Sequence, residues 1–291
     1  MNGRRLVLIL NPSAAGGRAA RLLPDAQREL ETLGLACRVV ETRDMEHASQ
    51  AALEAAQDEI VVAMGGDGLV GALAATVRGR VPLGVLPAGR GNDFARELGI
   101  PFDIPGASRV LAQGVERSLD LGEANGRPFI CIASTGFDSE ANRIANQARI
   151  VKGNLVYLYA GIRALIFWRR AHFSLKIDGA EHELDGYTVV AANTRFYGGG
   201  MHVAPGADPT DGLLEVVLIG QTSKLRFLAN LPKVFSAKHV ELDRVKVFHA
   251  REVEIAADRP FDVYADGEIL TSLPATVRLI PNAVRVIAPP A

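Results

Sequence analysis

The sequence has few of the residues that stabilise extracellular or metal-binding proteins. Its 291 residues include two cysteines, Cys37 and Cys131, which lie far apart in apolar stretches. That spacing fits neither a disulfide framework nor a cysteine metal site, and it predicts two buried free thiols in a reducing compartment. The six histidines are scattered without an HxxxH or Cys/His cluster, which argues against a zinc site.

The chain also has no excess of charge of either sign. Its 32 Lys and Arg residues nearly balance 33 Asp and Glu residues, giving a formal net charge of −1. No field of the whole molecule therefore favours nucleic acid, and we predict no nucleic-acid partner.

Long apolar runs are missing as well. The longest apolar segment, residues 155–168, is too short to span a bilayer and contains Arg163. The apolar run Leu6–Leu10 follows two arginines, as in a signal peptide, but it stops at Asn11-Pro12, whereas a signal needs roughly 7–15 apolar residues. We therefore expect a cytoplasmic protein.

Two common nucleotide-binding motifs do not occur. No GxGxxG follows the first apolar run, and GxxxxGK[ST] is found nowhere in the chain. These absences argue against a Rossmann dinucleotide site and against a P-loop NTPase.

The most informative stretch that is present is a glycine turn with a carboxylate, Gly65-Gly66-Asp67-Gly68. It follows a short β-branched run and precedes a helical pattern, which is the layout of a phosphate-binding turn. A carboxylate there would repel a phosphate unless a cation lay between them. The turn therefore predicts a nucleotide–metal site, the alternative being a glycine-rich connection without a ligand.

Strands and helices alternate through the first half of the chain, which predicts an open parallel sheet. Ligands of such sheets bind beyond the carboxyl ends of the strands. Four predicted loops lie at that edge, and three of them are rich in small residues: residues 11–17, 42–44, 65–68 and 89–93.

The pattern changes after about residue 120. Short alternating runs with turn signals predict an antiparallel β-sandwich, interrupted by a helix over residues 223–235. We predict a nucleotide-binding domain over residues 1–120 and a substrate domain over 121–291. Whether the C-terminal tail returns to the first domain is left open.

Several spaced motifs resemble one family. They are Asn11-Pro12, Gly65–Gly68, Pro87–Ala95, Asn193, Tyr197–Gly200, Pro205–Leu213 and Asp266–Glu268. In this order they resemble the diacylglycerol kinase catalytic-domain family, and more closely its bacterial soluble lipid kinases, which are similar to sphingosine and ceramide kinases. NAD kinases and phosphofructokinases belong to the same distant superfamily. The resemblance covers nearly the whole chain.

The resemblance implies a Rossmann-like α/β domain with an open parallel sheet, followed by an antiparallel β-sandwich domain. It implies a lipid kinase of phospholipid metabolism that uses ATP and Mg²⁺ in the interdomain cleft to phosphorylate a hydroxyl of diacylglycerol or a related lipid. The expected nucleotide-binding residues are Asn11, Pro12, Ser13, Thr42, Gly65, Gly66, Asp67, Gly68, Leu69, Gly89, Arg90, Asn92 and Asp93. The alternatives are an NAD kinase-like small-molecule kinase and a catalytically weak regulatory protein that binds nucleotide or lipid.

Asp266-Gly267-Glu268 follows a predicted strand in a turn. Phosphoryl transfer to a hydroxyl needs a group that accepts one proton, and a carboxylate can serve as that base. With the family order, we predict that Glu268 or Asp266 takes this proton while Asp67 helps to hold Mg·ATP. Taken alone, the motif is a common surface turn.

A second metal site is predicted near Asp211. The turn Asp208–Leu213 places several oxygens close together, which suits a hard cation such as Mg²⁺. The resemblance implies a structural site made by the Asp211 side chain and the backbone carbonyls of Asp208 and Leu213. A plain Asp-Gly hairpin turn is the alternative.

Two positions depart from the family pattern. Leu69 and Arg90 stand where the family usually has threonine. Arg90 either replaces a lost hydroxyl with a charged donor to phosphate or points to solvent, which would lower nucleotide affinity.

Residues 141–170 contain six Lys and Arg residues and no Asp or Glu. One predicted helical face is apolar: Leu155, Leu158, Tyr159, Ile162, Leu165 and Ile166. Such a segment suits docking on the anionic inner face of a membrane, where a lipid substrate would be met. Alternatively, this face packs on the sandwich. A homodimer is also considered.

Overall fold

A computed structural model describes residues 5–147 and 155–290. The first part alternates strands with helices, as predicted. Its elements are β1 (Arg5–Leu10), α1 (Ala14–Thr32), β2 (Ala36–Glu41), α2 (Met45–Leu53), β3 (Glu59–Gly65), α3 (Asp67–Val77), β4 (Leu83–Pro87), α4 (Asp93–Glu97) and α5 (Ile104–Gln113).

These four strands form a parallel sheet in the order β4-β3-β1-β2. In β1, five of six residues are buried, which a sheet covered by helices on both faces requires. β2 lies at the edge of this sheet, and Cys37 within it is only half-buried. The prediction of two buried thiols therefore holds only for Cys131, whose pKa burial raises well above the usual value.

The second part is built mainly from antiparallel strands. Its elements are β5 (Val115–Ala124), β6 (Arg127–Phe129), β7 (Ile132–Gly136), α6 (Phe137–Gln147), α7 (Leu155–Phe167), β8 (Ala171–Ile177), β9 (Ala180–Ala192), β10 (Phe196–Tyr197), β11 (Met201–His202), β12 (Leu214–Gly220), α8 (Lys224–Asn230), two 3₁₀ turns (Leu231–Ser236 and Lys238–Glu241), β13 (Val245–Ala250), β14 (Glu252–Ala257), β15 (Asp262–Ala265), β16 (Glu268–Ser272) and β17 (Ala275–Ala288).

The last strand joins the two parts of the chain. β17 runs antiparallel to β14 and β5, and its Val286 pairs in parallel with Leu83 of β4. The C-terminal tail therefore returns to the first sheet, a question that the sequence left open. The division at residue 120 stays a prediction, and β5 continues through that position without a break.

Two hydrophobic cores lie on the two parts of the chain. One is centred on β1, β3 and β4 with α3 and α5, and the other fills the antiparallel region around β8, β9 and β14. Along β8 buried and exposed residues alternate strictly, as expected when one face of a sheet packs on a core. The predicted fold class, a parallel α/β domain followed by an antiparallel β-sandwich domain, is confirmed.

The predicted helix over 223–235 is too long. Its α-helical part ends at Asn230, and the chain continues as a 3₁₀ turn from Leu231. Pro232 explains the change, because proline has no N–H to donate to the carbonyl four residues before it.

The predicted apolar face of residues 155–166 is divided in the structure. Leu165 is buried, whereas Tyr159, Ile162 and Ile166 are exposed. The prediction that these residues share one helical face was therefore wrong for Leu165, which packs inward while the other three are exposed. Arg149 and Lys152 lie outside the described residues, as do the side chains of Leu155 and Leu158. No helix in the described parts of the chain is long and apolar enough to cross a membrane.

Candidate active site

The carboxyl ends of the parallel strands bring the four predicted loops together. Nη1 of Arg18 donates to the Gly89 carbonyl at 3.1 Å. Thr42 donates to the Leu10 carbonyl through its N–H at 2.8 Å and its hydroxyl at 3.1 Å. A Cβ atom on Gly89 would lie 2.3 Å from Cα of Gly66. These contacts join Leu10 and Arg18, which flank the first loop, to Thr42 and Gly89, and they join Gly89 to Gly66. The last contact excludes any side chain at Gly89.

The glycine turn after β3 starts a helix whose first N–H groups are unused by the helix. Leu69 and Val70 both donate to the Gly66 carbonyl at 3.1 Å. The preceding N–H groups, those of Asp67 and Gly68, have no acceptor within the helix. Free N–H groups at a helix N-terminus bind anions, and phosphate is a common one.

The two positions that depart from the family pattern have opposite environments. Leu69 is buried, and a Cβ atom on Gly65 would lie 2.8 Å from its Cδ2. Its side chain therefore fills core space over Gly65 and has little surface to offer a nucleotide. Arg90 is exposed and has no hydrogen-bond or ion-pair partner within residues 5–147 and 155–290, so its guanidinium is free to approach a ligand.

Several side chains predicted to contact the nucleotide are held within their own loops. Asn92 has φ 53°, accepts from the Gly89 N–H at 2.9 Å and donates to the Gly89 carbonyl at 3.2 Å. In the first loop, Oδ1 of Asn11 accepts from the N–H of Ser13 at 3.0 Å and from its hydroxyl at 2.7 Å, with the half-buried Pro12 between them. Asn92 and Asn11 therefore shape these loops.

Two carboxylates from neighbouring loops lie on either side of Gly91. Oδ1 of Asp67 accepts from the Phe94 N–H at 2.9 Å, and Oδ2 of Asp93 accepts from the Gly199 N–H at 2.8 Å. A Cβ atom on Gly91 would lie 3.2 Å from Oδ2 of both carboxylates. Burial raises the pKa of Asp93; the Gly199 N–H opposes this rise, and the charge of Asp67 adds to it. Two carboxylates this close attract a cation.

The donor set here fits magnesium bound together with phosphate. Across residues 5–147 and 155–290, no three His, Cys, Asp or Glu side chains converge closely enough to hold a metal by themselves. Mg²⁺ commonly takes one or two carboxylates and completes its octahedron with water and phosphate oxygens. Asp67 and Asp93 supply such a pair, and the buried Oδ1 of Asp93 has no hydrogen-bond partner, its nearest cation being Nε of Arg96 at 3.9 Å.

The turn between β15 and β16 approaches this edge from the second domain. A Cβ atom on Gly68 would lie 3.6 Å from the Asp266 carbonyl and 3.8 Å from Oε1 of Glu268. One helical turn further on, a Cβ atom on Gly71 would lie 2.7 Å from Oδ2 of Asp266. The structure thus brings the two predicted catalytic carboxylates to the start of α3, next to the glycine turn.

The two carboxylates of this turn differ in their surroundings. Asp266 accepts from the Ile130 N–H at 2.8 Å and from the Cys131 N–H at 3.0 Å, which uses both of its oxygens. Burial raises its pKa to about 7; the two N–H groups oppose this rise, and the charge of Asp67 adds to it. The side chain of Glu268 is exposed and has no hydrogen-bond or ion-pair partner in the described parts of the chain. Asp266 is therefore fixed in place, whereas Glu268 is free.

Sequence reasoning missed the contacts that fasten α4 to the second domain. The buried side chain of Glu97 accepts from the backbone N–H and from Nε of Arg195, both at 2.9 Å. Beside this pair, Gly199 binds Asp93. The two partners of the ion pair are 98 residues apart in the chain, and no local pattern predicts such a pairing.

The predicted structural metal loop is a hydrogen-bonded turn. Oδ1 of Asp208 accepts from the N–H and hydroxyl of Thr210 at 2.9 and 2.6 Å. Oδ1 of Asp211 accepts from the Leu213 N–H at 2.8 Å. The Asp208 carbonyl accepts from the Asp211 N–H at 3.4 Å, and the second carboxylate oxygen of the exposed Asp211 has no hydrogen-bond partner in the described parts of the chain. Magnesium at this turn stays a prediction.

This loop is tied to the rest of the molecule by Asp120, which the sequence analysis did not single out. Its buried carboxylate accepts from the N–H of Gly212 at 2.7 Å and from the N–H of Asn282 at 2.8 Å. Its own N–H donates to the Pro209 carbonyl at 2.7 Å. A carboxylate between the apolar Leu119 and Leu121 was the signal that could have revealed it, since buried carboxylates need partners.

Comparisons with known proteins agree with this geometry. Residues 5–124 match the family model described as the diacylglycerol kinase catalytic domain, and residues 131–288 match the YegS C-terminal NAD kinase beta sandwich-like domain. A diacylglycerol kinase of Mycobacterium tuberculosis is 35% identical over 298 residues, which cover 98% of this chain and 95% of that protein. This chain belongs to the diacylglycerol kinase family. It is a lipid kinase, as the sequence motifs predicted.

Other relatives are similar over the whole length. A probable lipid kinase YegS-like of Pseudomonas aeruginosa is 31% identical, covering 99% of this chain and 96% of that protein. The crystal structure of a diacylglycerol kinase from Bacillus anthracis shares the fold with a TM-score of 0.75 at 22% identity, covering 99% and 97% of the two chains. An NAD kinase from Archaeoglobus fulgidus in complex with ATP has a TM-score of 0.52 at 13% identity, covering 97% and 93%. Both structures support the two-domain fold.

Proposed function

We propose that this lipid kinase transfers the γ-phosphoryl group of ATP, with Mg²⁺, to a hydroxyl of diacylglycerol or a related lipid. The observation that carries the proposal is the position of Glu268, whose free carboxylate comes from the second domain to within 3.8 Å of a Cβ position on Gly68. A proton acceptor and an anion-binding helix start are thus side by side. Phosphoryl transfer to an alcohol needs both.

The first domain binds the nucleotide in this proposal. The free N–H groups of Asp67 and Gly68 donate to phosphate oxygens, and the exposed Arg90 adds a charged donor. Gly66 and Gly89 leave room for the backbone to approach the phosphates, because their close contact excludes side chains. The loop of Asn11 and Ser13 and the buried Thr42 border the same edge of the sheet.

Asp67 and Asp93 hold magnesium. When bound, the ion neutralises charge on the phosphate oxygens, which lowers the barrier to phosphoryl transfer. Asp67 is fixed by the Phe94 N–H, so its second oxygen points at the space beside Gly91. A second, structural magnesium at Asp211, with the carbonyls of Asp208 and Leu213, would tighten the turn that Asp120 anchors.

Glu268 accepts the proton of the lipid hydroxyl. As the hydroxyl oxygen bonds to the γ-phosphorus, the bond between that phosphorus and the leaving oxygen of ADP breaks, and the proton goes to the Glu268 carboxylate. Asp266 is a positioning residue: its two hydrogen bonds to Ile130 and Cys131 fix the turn that carries Glu268. We therefore assign the role of base to Glu268 and not to Asp266.

Diacylglycerol is preferred because relatives from Mycobacterium tuberculosis and Bacillus subtilis, each covering 98% of this chain, are named diacylglycerol kinases. The likeness to the NAD kinase extends to the fold alone, at 13% identity, and no described contact favours a dinucleotide acceptor. An exposed and unpartnered Glu268 favours an active enzyme over a weak regulatory protein.

The proposal is tested by measuring phosphorylation of lipids in an extract that contains many candidate acceptors. The purified chain is incubated with ATP, Mg²⁺ and total lipid extract in mixed micelles, and products are identified by mass spectrometry, with NAD as a separate acceptor. We expect a lipid that gains one phosphate, and turnover reduced at least about 100-fold in Asp67→Asn. Phosphorylation of NAD alone, or equal turnover by Asp67→Asn, would contradict the proposal.

A further inference from the structure

A short hairpin of the second domain reaches across to the first domain. It consists of β10, β11 and the turn Gly198-Gly199-Gly200 between them, and we call it the glycine hairpin (residues 196–202). At its tip, the Gly199 N–H donates to Oδ2 of Asp93 at 2.8 Å. Directly before it, Arg195 pairs with Glu97 of α4 at 2.9 Å. The hairpin therefore touches a proposed magnesium ligand from the opposite domain.

The tip of the glycine hairpin has little rigidity of its own. Its three glycines all have positive φ, with values of 64°, 88° and 105°. Glycine has no side chain to restrict the backbone, so ordering it costs more conformational entropy than ordering other residues. The strands on either side are two residues long and pair only Phe196 with His202 and Tyr197 with Met201. The position of Gly199 must therefore be fixed by contacts of the residues next to the turn.

The tip packs closely on the first domain. A Cβ atom on Gly200 would lie 3.3 Å from Cζ of Arg96, and one on Gly91 would lie 3.4 Å from the backbone nitrogen of Gly199. The turn thus lies directly against α4 and the loop before it. A small displacement of the hairpin would change the bond between Gly199 and Asp93.

Tyr197, the residue before the glycines, is anchored in the second domain. Nδ2 of Asn142 on α6 donates to the Tyr197 hydroxyl at 2.7 Å. Burial raises the pKa of Tyr197, and the charge of Asp138 adds to this rise, so the hydroxyl stays neutral at physiological pH. The hydroxyl end of the ring therefore points into the protein and is held there by Asn142.

The helix that carries Asn142 is itself firmly placed. The hydroxyl of Thr188 on β9 donates to Oδ1 of Asp138 at 2.8 Å, one helical turn before Asn142. The Phe137 ring meets Tyr187 and Phe227 edge-on, with centroids 5.9 and 5.0 Å apart. The start of α6 is therefore fixed to the core of the second domain, and Asn142 is a fixed partner for Tyr197.

Asp93 has a competing partner on its other side. Its Oδ1 and Nε of Arg96 are both buried and have no hydrogen-bond partner among the residues that the structure describes, and they lie 3.9 Å apart. Without the Gly199 N–H, the carboxylate is free to rotate toward this guanidinium. A carboxylate that is paired with arginine is less available to a cation.

From these contacts we infer that Tyr197 is a positioning residue for magnesium binding. Its hydrogen bond with Asn142 holds the glycine hairpin, and the Gly199 N–H then keeps the carboxylate of Asp93 available to the ion. The inference rests on the proposed function, in which Asp67 and Asp93 hold magnesium. It adds that a residue of the second domain controls this site, although it touches neither the ion nor the acceptor.

The first test uses the full chain without ligand. Hydrogen exchange, followed by mass spectrometry of the peptide that spans residues 196–202, compares the native chain with Tyr197→Phe, which loses only the hydroxyl. We expect exchange in this peptide to be about three- to tenfold faster in the variant. Tyr187→Phe is the matched control, since it loses a hydroxyl that donates to the Thr222 carbonyl at 3.0 Å. Its exchange in the same peptide should be native.

The second test is calorimetry of Mg·ATP, and of ATP with a chelator in place of Mg²⁺, both without an acceptor. Tyr197→Phe should weaken Mg·ATP binding about three- to tenfold and leave metal-free ATP binding unchanged. Asn142→Leu should have the same effect. The double variant Tyr197→Phe/Asn142→Leu should be no weaker than the weaker single variant, because both changes remove one bond. Tyr187→Phe should bind Mg·ATP like the native chain.

Native-like exchange or native-like Mg·ATP binding in Tyr197→Phe overturns the inference. So does an equal loss of ATP binding with and without Mg²⁺, because the hairpin would then act on the fold in general. If the native chain binds ATP equally well with and without Mg²⁺, the magnesium site of the proposed function fails, and this inference fails with it. A native preference for Mg·ATP that Tyr197→Phe retains removes this inference alone.

Discussion

The two sides of the cleft are built in different ways. On the nucleotide side, loops are held by contacts between backbone atoms: Gly66 and Gly89 touch, and Asn92 binds the backbone of Gly89. On the acceptor side, the turn of Glu268 is held by a single carboxylate, Asp266. The first side is therefore sensitive to any added atom, and the second is sensitive to the charge and shape of one side chain.

Because of this difference, we expect the nucleotide side to bind Mg·ATP and the acceptor side to carry the proton transfer. The nucleotide side offers fixed N–H groups and two carboxylates, which bind and neutralise charge. The acceptor side offers one free carboxylate on a fixed turn. Substitutions on the nucleotide side should therefore weaken Mg·ATP binding, whereas substitutions on the acceptor side should lower turnover without weakening Mg·ATP binding. The following variants test this difference.

The largest effect is expected for Glu268→Gln. Removing the proton acceptor should lower kcat about 10²- to 10⁴-fold. Because Glu268 is exposed and has no described partner, the free energy of unfolding should stay within about 0.5 kcal/mol of the native value. Steady-state kinetics with a lipid acceptor and a urea titration measure the two quantities. A native rate in Glu268→Gln would remove it from the mechanism.

A smaller effect, on the order of 10- to 100-fold in kcat, is expected for Asp266→Asn. An amide presents an NH₂ group to one of the two backbone N–H groups, so one hydrogen bond is lost and the turn shifts. If the carboxylate form of Asp266 fixes the turn, native kcat/KM rises with pH through the pKa of about 7, and this inflection disappears in the variant. An unchanged pH profile in Asp266→Asn would contradict the positioning role.

The same pKa makes a prediction for stability. The pKa of Asp266 rises from its ordinary 3.8 to about 7 in the folded protein, so folding holds this proton more tightly. The resulting stabilisation is complete below about pH 4 and is lost as the pH rises through 7. The destabilisation caused by Asp266→Asn should therefore be larger at pH 5 than at pH 8, as measured by urea unfolding.

Gly71→Ala tests the contact between the two sides. Alanine in a helix is normally favoured over glycine by about 1 kcal/mol, but here its Cβ would lie 2.7 Å from Oδ2 of Asp266. We expect kcat to fall about tenfold as the turn is displaced. Gly161→Ala in α7 is the matched control, since no atom of the described residues lies within 4 Å of its Cβ position. Equal activity of both variants would show that the turn tolerates displacement.

The smallest effect is expected for Arg90→Ala. Loss of a charged phosphate donor should raise the KM for ATP about three- to tenfold with little change in kcat. Arg109→Ala, at another exposed arginine of the first domain, should leave both values unchanged. If Arg90→Ala behaves in the same way, Arg90 points to solvent.

The sequence predicted the nucleotide side better than the acceptor side. Gly65–Gly68 and Gly89–Asp93 are local patterns, and parallel strands necessarily bring their carboxyl ends together. The approach of Asp266 to Gly71, by contrast, depends on the turn between β15 and β16 reaching α3, almost 200 residues away along the chain. Periodicity carries no information about such contacts.

Two further residues have environments that their local sequence does not reveal. Leu69 is in the motif but is buried, because the first turn of α3 packs back over Gly65. Asp120 lies in no recognised motif, yet its buried carboxylate joins the turn at Gly212 to β17. Burial and long-range pairing decided the role of each residue, and both arise only from the folded chain.

The most direct test of the separation compares Mg·ATP binding to Asp67→Asn and to Glu268→Gln by calorimetry, alongside turnover of each variant. Both variants should lose turnover. We predict that Asp67→Asn also weakens Mg·ATP binding about tenfold or more, whereas Glu268→Gln binds Mg·ATP like the native chain. Equal loss of binding in both variants, or weakened binding in Glu268→Gln alone, would contradict the division of the cleft into a nucleotide side and an acceptor side.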